Sequence, residues 1–482
     1  MGRKSQSKHN KPRPNLNNKQ QKLSELVDQL LRVTVKTPHA NVTKELEAHK
    51  EIFALTEKIN ELEANEICTN RTDGAALEAF KVWLKDNGAK FDGTSIAHFE
   101  GYDLGLKTEV DIVEGSLIIA IPRKIMLTLD SAMHTTLAPL LEKDAILKNM
   151  PNVVLAMFLL VEKFKEDSFW KPYIDVLPNN YSTVLYYDYL ELEELIGSPN
   201  LKLALKQIKS ICRQYAYFYK LIHTSEESVC LGLRGKFSFK QYCWAVSTVM
   251  TRQNTIPSED KAEMTSALIP LWDFCNHTNG NISTDYNPME DRSECLAVRD
   301  FKKGEQLFIF YGARTNSDLF IHNGFVYEEN EHDGFALSLG ISQSDPLREK
   351  RAILLEKLLI NPNSTFYLNN GQQPIIGELL AFLRVFNMNE DQLQHWIESD
   401  KCADLQCLDC ALDTVLEKKT WSFLQIRIKL LLAAYKTTLE DDEKRLAANI
   451  LKPNRKLAIR MRVTEKKILK TVLDYVEQCI KQ

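Results

Sequence analysis

The sequence predicts an α+β protein in which a β unit is split by a helical insertion and followed by an all-α C-terminal region. Short β-rich runs separated by turn residues lie at residues 101–128 and return at residues 267–327. Apolar residues at helical spacing fill the segment between them, about residues 131–254, and dominate again after residue 331. This order of patterns predicts one β core that is interrupted in sequence and a separate helical domain.

The predicted organisation has four parts. Residues 1–22 carry basic residues without an acidic one and almost nothing apolar, so we expect a disordered tail. Residues 23–90 repeat apolar side chains at helical spacing and form an N-terminal helical region. The split β core spans residues 91–327, and residues 328–482 form the C-terminal domain.

Composition excludes several classes of function. The 482 residues contain 61 Lys and Arg against 65 Asp and Glu, so no overall basic field favours nucleic acid. The longest uninterrupted apolar run, Val153 to Val161, is far shorter than the roughly 18–20 residues of a membrane-spanning helix, and no signal peptide is evident. We therefore expect a cytoplasmic protein that binds neither nucleic acid nor membrane, and the basic tail leaves nuclear import open. A monomer is expected as well, although no pattern in the sequence decides the oligomeric state.

Nucleotide and metal motifs are not found in the sequence. Glycine-rich phosphate loops are absent, which disfavours ATP and dinucleotide chemistry. The ten cysteines show no secreted disulfide framework, so reduced thiols are expected. Cys402, Cys407 and Cys410 invite a zinc interpretation, but they lack a clear fourth ligand, and Cys407 with Cys410 fits one helical face. We predict no metal.

Two polar motifs follow apolar runs in the second β-rich region. The first is WDFCNH at residues 272–277, and the second is GEQLFIFYG at residues 304–312. Taken alone, Asn276-His277 is typical of a turn pair whose polar groups are satisfied. Tyr311 alone is typical of a core aromatic residue. The combination of the two motifs is more specific than either.

This combination resembles the paired signature of the SET-domain methyltransferases, and the interrupted layout with its helical C-terminal half resembles the subgroup built like the Rubisco lysine methyltransferase. Further stretches carry the resemblance within that subgroup: RQYAYFYK at 213–220, VMTRQN at 249–254, IPLWDFCNHTN at 269–279 and IFYG at 309–312. The resemblance implies a SET β-core with a pseudoknot, a helical insertion and an all-α substrate-binding domain. It also implies S-adenosyl-L-methionine as the methyl donor, S-adenosyl-L-homocysteine as the product, and no metal.

The resemblance implies a cofactor site built from several stretches of the chain. In the family the Asn-His loop lines the cofactor, so residues 273–277 are expected to bind it largely through backbone groups. Phe325 is expected to stack on the adenine opposite Tyr102. Arg252 and Arg71 are expected to bind the methionine carboxylate of the cofactor. The full implied set is Arg71, Tyr102, Asp103, Leu104, Arg252, Asp273, Phe274, Cys275, Asn276, His277, Asn323, Gly324 and Phe325.

One position departs from the family pattern, which usually has Gly-x-Gly where this chain has Asp103-Leu104-Gly105. The first glycine of that pattern permits close approach or a positive φ. Aspartate tolerates the left-handed region better than most residues, so cofactor binding is still expected, with an affinity that depends on this substitution.

The acceptor is predicted from the side chain at position 254. A lysine with a pKa near 10.4 is only about 0.1% neutral at pH 7.4, a deficit of roughly 4 kcal/mol, whereas a histidine with a pKa near 6.5 is already mostly neutral. Lysine enzymes of the subgroup tend to have an aromatic residue at the position of Asn254. A carboxamide there can instead accept a hydrogen bond from an imidazole N–H and orient the ring. Asn254 is also compatible with a plain helix C-terminal cap.

The resemblance also implies the substrate. The stretches quoted above closely resemble members of the subgroup that methylate a histidine of actin, so the implied reaction is in-line transfer to the remote (tele) ring nitrogen of an actin histidine. A protein-lysine methyltransferase and a SET-fold adaptor without activity remain the alternatives. The implied catalytic residues are Asn254 and Tyr311, and the implied substrate-binding residues are Asn152, Trp272, Ile309 and Arg314, of which Trp272, Ile309 and Tyr311 form a flat apolar slot for the ring.

Overall fold

The computed structural model describes residues 18–63, 74–281, 283–448 and 450–481. Helix α1 begins at Asn18, so the predicted tail of residues 1–22 is too long by five residues. The residues before Leu23 are Lys and Gln, which are good helix formers and extend the helix that the buried Leu23 and Val27 anchor. Residues 1–17 lie outside the described part of the chain. The N-terminal helices are α1 (Asn18–Thr34), α2 (Val42–Glu63) and α3 (Gly74–Asp86).

The first half of the β core follows these helices. An antiparallel hairpin pairs Thr94 with Thr108 at its open end and Phe99 with Asp103 at its turn. The next strand is almost entirely buried, as its sequence LIIAIP predicts. The strands of this half are β1 (Thr94–Phe99), β2 (Asp103–Thr108), β3 (Leu117–Pro122) and β4 (Leu127–Thr128).

A helical insertion then occupies residues 129–252, in agreement with the predicted 131–254. Its longest helix begins with Ser198 as the N-cap and a proline in the first turn, which is the usual helix-start chemistry. The insertion contains α4 (Leu129–Met133), α5 (Ala138–Lys143), α6 (Ala145–Asn149), α7 (Pro151–Phe164), α8 (Lys171–Ile174), α9 (Tyr189–Glu193), α10 (Pro199–Thr224) and α11 (Phe239–Arg252).

The second half of the β core returns directly after α11. Its strands are β5 (Gln253–Pro257), β6 (Met264–Leu268), β7 (Asn276–His277), β8 (Thr284–Asn287), β9 (Arg292–Leu296) and β10 (Gln306–Ile309), which precede the short helix α12 (Asn316–Asp318) and a π-helical turn (Leu319–Asn323).

Strands from the two halves pair with each other in every sheet of the core. The sheet orders are β1-β2-β10-β7, β3-β9-β8 and β4-β6-β5. In the first sheet β10 pairs antiparallel with β2, and its Phe308 and Ile309 pair parallel with Asn276 and His277. The split β core predicted from the sequence is therefore a single scaffold, and the helical insertion is looped out of it.

The sequence predicted an all-α C-terminal domain. The domain is mainly helical, but it also contains two β-strands. An antiparallel pair of strands places Phe335 and Leu337 on the same buried face as Phe366 and Leu368. This period-2 alternation was obscured by the long helical patterns around it. The domain consists of β11 (Gly334–Gly340), α13 (Arg348–Lys357), β12 (Asn363–Asn369), α14 (Gly377–Asn387), α15 (Glu390–Glu398), α16 (Thr414–Ala433), α17 (Leu439–Ala447) and α18 (Pro453–Lys481).

Helix α18 joins the two parts of the molecule. Its Ala458 and Met461 belong to the hydrophobic core of the N-terminal part, whereas Ile468 and Val472 belong to the core of the C-terminal domain. Across the described ranges, no helix is long and apolar enough to span a lipid bilayer.

Candidate active site

The end of strand β10 and the loop around β7 form the centre of the site. The Tyr311 hydroxyl donates a 2.7 Å hydrogen bond to the Cys275 carbonyl. The Tyr311 backbone N–H donates to His277 Nδ1 at 3.3 Å, and the Thr278 N–H donates to the Ile309 carbonyl at 3.1 Å. The two sequence motifs are therefore in direct contact in the fold.

The side chain of His277 takes part in this contact between the two motifs. Burial lowers its pKa to about 4, and the positive charges of Arg314 and His332 contribute further. The ring is therefore neutral near pH 7, and because Nδ1 accepts the Tyr311 N–H, the ring proton belongs on Nε2. Burial likewise raises the pKa of Tyr311 above its usual range, so its hydroxyl remains a hydrogen-bond donor.

Strand β2 approaches the same junction closely. Asp103 has φ 61°, in the left-handed region, as expected for the residue that replaces the usual glycine. Two residues later, a Cβ on Gly105 would lie 2.5 Å from Gln306 Nε2 and 3.0 Å from Asn276 Nδ2. A Cβ at position 105 would therefore displace the amide ends of Gln306 and Asn276, and the Asn276 amide nitrogen donates to the Leu104 carbonyl at 3.4 Å.

A buried ion pair lies at the end of helix α11. Arg252 donates through one terminal nitrogen to the Asp273 carbonyl at 2.7 Å and to Asp273 Oδ2 at 2.9 Å. Tyr173 donates to the same carboxylate oxygen at 2.8 Å. Burial by itself would lower the pKa of Arg252, but the Asp273 carboxylate outweighs it and raises that pKa, so the guanidinium remains charged.

Several buried polar atoms around this ion pair have no hydrogen-bond partner among the described residues. They are Arg252 Nε, Asp273 Oδ1, Trp272 Nε1 and Gln253 Oε1. Buried donors and acceptors are rarely left unpaired, because each costs about 1–3 kcal/mol. Since all four side chains line one cavity, these atoms are available to a polar ligand.

That cavity has a volume of about 800 Å³ and is formed by the β core and the helical insertion together. Its volume is within the range of small-molecule sites. It brings together ten of the residues proposed from the sequence, which are Asn152, Arg252, Asn254, Trp272, Asp273, Cys275, Ile309, Tyr311, Arg314 and Asn323.

Trp272 is presented to the cavity by a strained turn. The preceding residue, Leu271, has φ 68° and is 2% exposed, a conformation that costs a leucine about 1–3 kcal/mol. The turn directs the following residues into a short 3-10 helix, Trp272–Phe274. Backbone strain of this kind persists only where the surrounding structure holds it, and it is common at active sites and ligand-binding sites.

Asn254 lies on strand β5 directly after helix α11, where both of its predicted roles can be compared. Its amide nitrogen donates to the Arg252 carbonyl at 3.1 Å, so it does bind the end of the helix. None of the described residues donates to its side-chain oxygen, and the residue lines the cavity. The bond to the Arg252 carbonyl thus holds the amide in place and leaves its oxygen without a described donor.

Residues 314–325 complete the site next to α11. Arg314 donates to Asn323 Oδ1 at 3.1 Å, and Asn323 Nδ2 reaches the Thr251 carbonyl at 3.4 Å. Gly324 has φ 77°, and a Cβ there would lie 2.8 Å from the Ser182 backbone. The Phe325 ring lies 6.1 Å from the His277 ring.

The remaining proposed residues lie outside the cavity wall. Tyr102 is 41% exposed and contacts the Phe308 ring edge-on at 5.4 Å, and within the described chain it makes no ring contact with Phe325. Phe274 packs into the core against Phe80, so only its backbone can face a cofactor. The other proposed residues outside the wall are Asp103, Leu104, Asn276, His277, Gly324 and Phe325, while Arg71 lies outside the described residues.

The sequence-based proposal missed part of the wall. Six of the missed wall residues are adjacent in sequence to a proposed residue, so extending each proposed stretch by one position would have found them. Gln207 and Thr284 come from α10 and β8, and no local signal points to either. The full set is Gln207, Met250, Thr251, Gln253, Thr255, Thr284, Phe310, Gly312, Asp318 and His322.

The described residues hold no group of three or more His, Cys, Asp or Glu side chains that could bind a metal ion. Cys407 and Cys410, expected on one helical face, instead lie in an irregular loop after a 3-10 helix, Cys402–Gln406. The reason is Arg384, a buried side chain whose guanidinium binds the carbonyls of both cysteines.

Two family models match the chain. The SET domain matches residues 103–312, and the Rubisco LSMT substrate-binding domain matches residues 342–469. The solved structure of Rubisco LSMT bound to sinefungin and monomethyllysine has a TM-score of 0.67 and 22% identity, covering 84% of this chain and 92% of that one. Fold and site thus define a SET-domain protein with a C-terminal domain of the Rubisco LSMT type.

Relatives with higher sequence identity define the family within this class. An actin-histidine N-methyltransferase from Xenopus tropicalis is 42% identical over 93% of this chain and 78% of the relative. The one from Homo sapiens is 41% identical over 90% of this chain and 74% of the relative. The chain belongs to the family of the actin-histidine N-methyltransferases.

Proposed function

We propose that the protein transfers a methyl group from S-adenosyl-L-methionine to the tele nitrogen of a histidine in actin. The observation that carries this proposal is the wall of the cavity, where Trp272, Ile309 and Tyr311 lie with the free oxygen of Asn254. The proposal is supported by the two relatives described above, which are named actin-histidine N-methyltransferases. AdoMet is bound in a solved structure of the Rubisco LSMT fold.

The residues of this chain fit a zwitterionic methionine group. Arg252 Nε is a buried donor without a described partner, and it can bind a carboxylate. Asp273 Oδ1 is a buried acceptor without a described partner, and it can bind an ammonium. The Arg252–Asp273 pair is itself close to neutral, so it can receive one group of each sign without creating an unpaired buried charge.

S-adenosyl-L-methionine, when bound, supplies a methyl group on a positively charged sulfur. The protein contributes position: Trp272, Ile309 and Tyr311 hold a planar imidazole, and Asn254 Oδ1 accepts its ring N–H so that the other nitrogen presents its lone pair. The C–S bond breaks as the C–N bond forms, S-adenosyl-L-homocysteine leaves, and the methylated imidazolium releases its proton to water. The Asn254 oxygen also stabilises the positive charge that develops on the ring.

Neither Tyr311 nor His277, the two titratable groups at the centre of the site, is placed to act as a general base. The Tyr311 hydroxyl donates a hydrogen bond to the Cys275 carbonyl and has a raised pKa, and His277 does not line the cavity. A neutral histidine acceptor needs none, because it is already mostly unprotonated near pH 7.

The proposal is tested by incubating purified actin with the protein and methyl-labelled S-adenosyl-L-methionine. Label is expected in actin with the wild-type protein and is expected to be strongly reduced with Trp272→Ala. An actin substrate that remains unlabelled, with cofactor bound in calorimetry, would favour another protein substrate. Absence of cofactor binding would favour the adaptor alternative.

We further propose that the protein acts as a cytoplasmic monomer, with neither nucleic acid nor membrane as a partner. The net charge of −4 supports the expectation about nucleic acid. Light scattering of the purified chain and imaging of a fluorescent fusion test these points. A stable dimer, or a predominantly nuclear signal, would contradict them.

A further inference from the structure

A buried glutamate joins the helical insertion to the C-terminal domain. Glu465 lies on α18 and is 3% exposed. Its Oε1 accepts hydrogen bonds from Ser198 Oγ at 2.7 Å and from Asn200 Nδ2 at 2.9 Å. Its Oε2 accepts one from the Tyr435 hydroxyl at 2.9 Å. All three partners act as donors, so this arrangement suits the ionised carboxylate.

The hydrogen bonds continue from Glu465 to the wall of the cavity. Asn200 Oδ1 accepts a 2.7 Å bond from Ser317 Oγ. Ser317 lies in α12, next to Asp318, and the π-helical turn that follows carries His322 and Asn323. Since Asp318, His322 and Asn323 all line the cavity, Glu465 is linked to one side of it through two side chains.

The charges around Glu465 leave its carboxylate without an ion pair among the described residues. Arg462 and Lys466, its neighbours on α18, are held by Asp442 at 2.5 and 2.6 Å, and Arg462 also contacts Glu194 at 2.7 Å. The pKa of Glu465 is raised to about 7, because burial and, to a smaller extent, the charge of Asp333 outweigh the hydrogen bonds that lower it.

A glutamine would fill the same space without the cost of burying a charge. A carboxylate kept in such a place is typical of a functional constraint rather than of stability. The feature that distinguishes the carboxylate from an amide is its strength as an acceptor, because hydrogen bonds to charged groups are about twice as strong as neutral ones.

We propose that Glu465 is a positioning residue for the methyl transfer, whose ionised carboxylate acts through Asn200 and Ser317 to hold residues 316–323 against the cavity. The inference rests on the proposed function. Protonation weakens the bond to Asn200, since a neutral acid is a poorer acceptor. Activity therefore falls as the pH drops through neutrality, in addition to the loss caused by protonation of the substrate histidine.

The test compares wild type with Glu465→Gln, Ser317→Ala and the double variant. Glutamine can still accept from Ser198 and Asn200 and donate to Tyr435, and Ser317→Ala cuts the link while leaving the bonds of Glu465 intact. At about pH 8 each single variant is expected to lose about fivefold in kcat, with the KM for actin unchanged. The double variant is expected to lose no more than either single one, because both break the same link.

The pH profile distinguishes positioning from a structural role. At about pH 6 the kcat of Glu465→Gln should approach that of wild type, because Glu465 is then protonated in wild type too. Glu477→Gln, on the same helix but half-exposed, serves as the control and should follow wild type throughout. An unchanged kcat for Glu465→Gln at the higher pH, or additive losses in the double variant, would overturn the inference.

Melting temperatures provide a readout that does not depend on activity. Because the pKa of Glu465 is raised in the folded state, its ionisation destabilises the fold as the pH rises from about 5 to 8. The melting temperature of Glu465→Gln should therefore rise relative to wild type over this range, and a constant difference would contradict ionisation there. A wild type that methylates no actin would refute the proposed function and the inference together, whereas an active wild type with unchanged variants would refute the inference alone.

Discussion

The Tyr311 hydroxyl donates a 2.7 Å hydrogen bond to the Cys275 carbonyl, which ties the end of strand β10 to the loop that carries Trp272. Cys275 precedes β7, and β7 pairs in parallel with β10. The bond therefore spans two chain segments that enclose the cavity. Under the proposed function Tyr311 forms part of the slot for the acceptor ring, and because its hydroxyl donates to the Cys275 carbonyl we expect it not to act as a base.

Tyr311→Phe should reduce kcat by less than about tenfold, because the ring is retained and one hydrogen bond worth about 1 kcal/mol is lost. A general base contributes about 10²–10⁴-fold, so its removal would have a much larger effect. Steady-state rates at saturating actin and cofactor distinguish the two cases. A loss beyond a hundredfold, with an unchanged melting temperature, would show that the hydroxyl takes part in proton transfer.

Asn254→Phe should weaken histidine methylation by about tenfold or more, because the ring loses the acceptor that orients it, and should favour lysine. Asn254→Ala is the matched control. It removes the same acceptor without adding an aromatic wall, so histidine activity should fall while lysine activity does not rise. The measurement compares histidine and lysine peptides in one assay. Unchanged histidine activity in both variants would show that Asn254 only binds the end of α11 and does not orient the acceptor ring.

Arg252→Lys should weaken cofactor binding by about tenfold, because lysine keeps the charge near Asp273 but has no donor at the position of Nε. Calorimetry with S-adenosyl-L-homocysteine measures this directly. Arg123→Lys is a suitable control, since Arg123 is also paired with an aspartate, Asp291, but does not line the cavity. Equal affinities for the two variants would contradict the role given to Arg252.

The pH dependence of stability should reveal His277. Its pKa is lowered to about 4 in the folded state, so the unfolded chain binds the proton more readily between that value and about 6.5. Stability is therefore lost as the pH falls through this window. His277→Asn, which keeps an acceptor for the Tyr311 N–H but does not titrate, should show a shallower fall in melting temperature. Parallel curves for the two proteins would contradict a lowered pKa of His277 in the folded state.

Much of this architecture could be predicted from the sequence because its signals are local. The interruption of the β core follows from the change between period 2 and helical periodicity near residues 131 and 254. The left-handed conformation of Asp103 follows from the glycine that it replaces. Asn254 and Tyr311 were found because each belongs to a contiguous motif.

Other features could not be predicted, since they depend on contacts between distant segments. The strand pair of β11 and β12 joins residues separated by an intervening helix. Gln207 and Thr284 reach the cavity only because α10 and β8 pack around it. The partner of Arg252 is Asp273, whereas the family resemblance implied only that Arg252 binds a carboxylate of the cofactor.

The most direct measurement is fragment-ion mass spectrometry of actin after reaction with the protein and a cofactor carrying a deuterated methyl group. The account predicts one labelled methyl group on the tele nitrogen of a histidine ring, and its loss with Trp272→Ala. Label confined to lysine side chains, or actin without label while another protein in the same mixture is methylated, would contradict it.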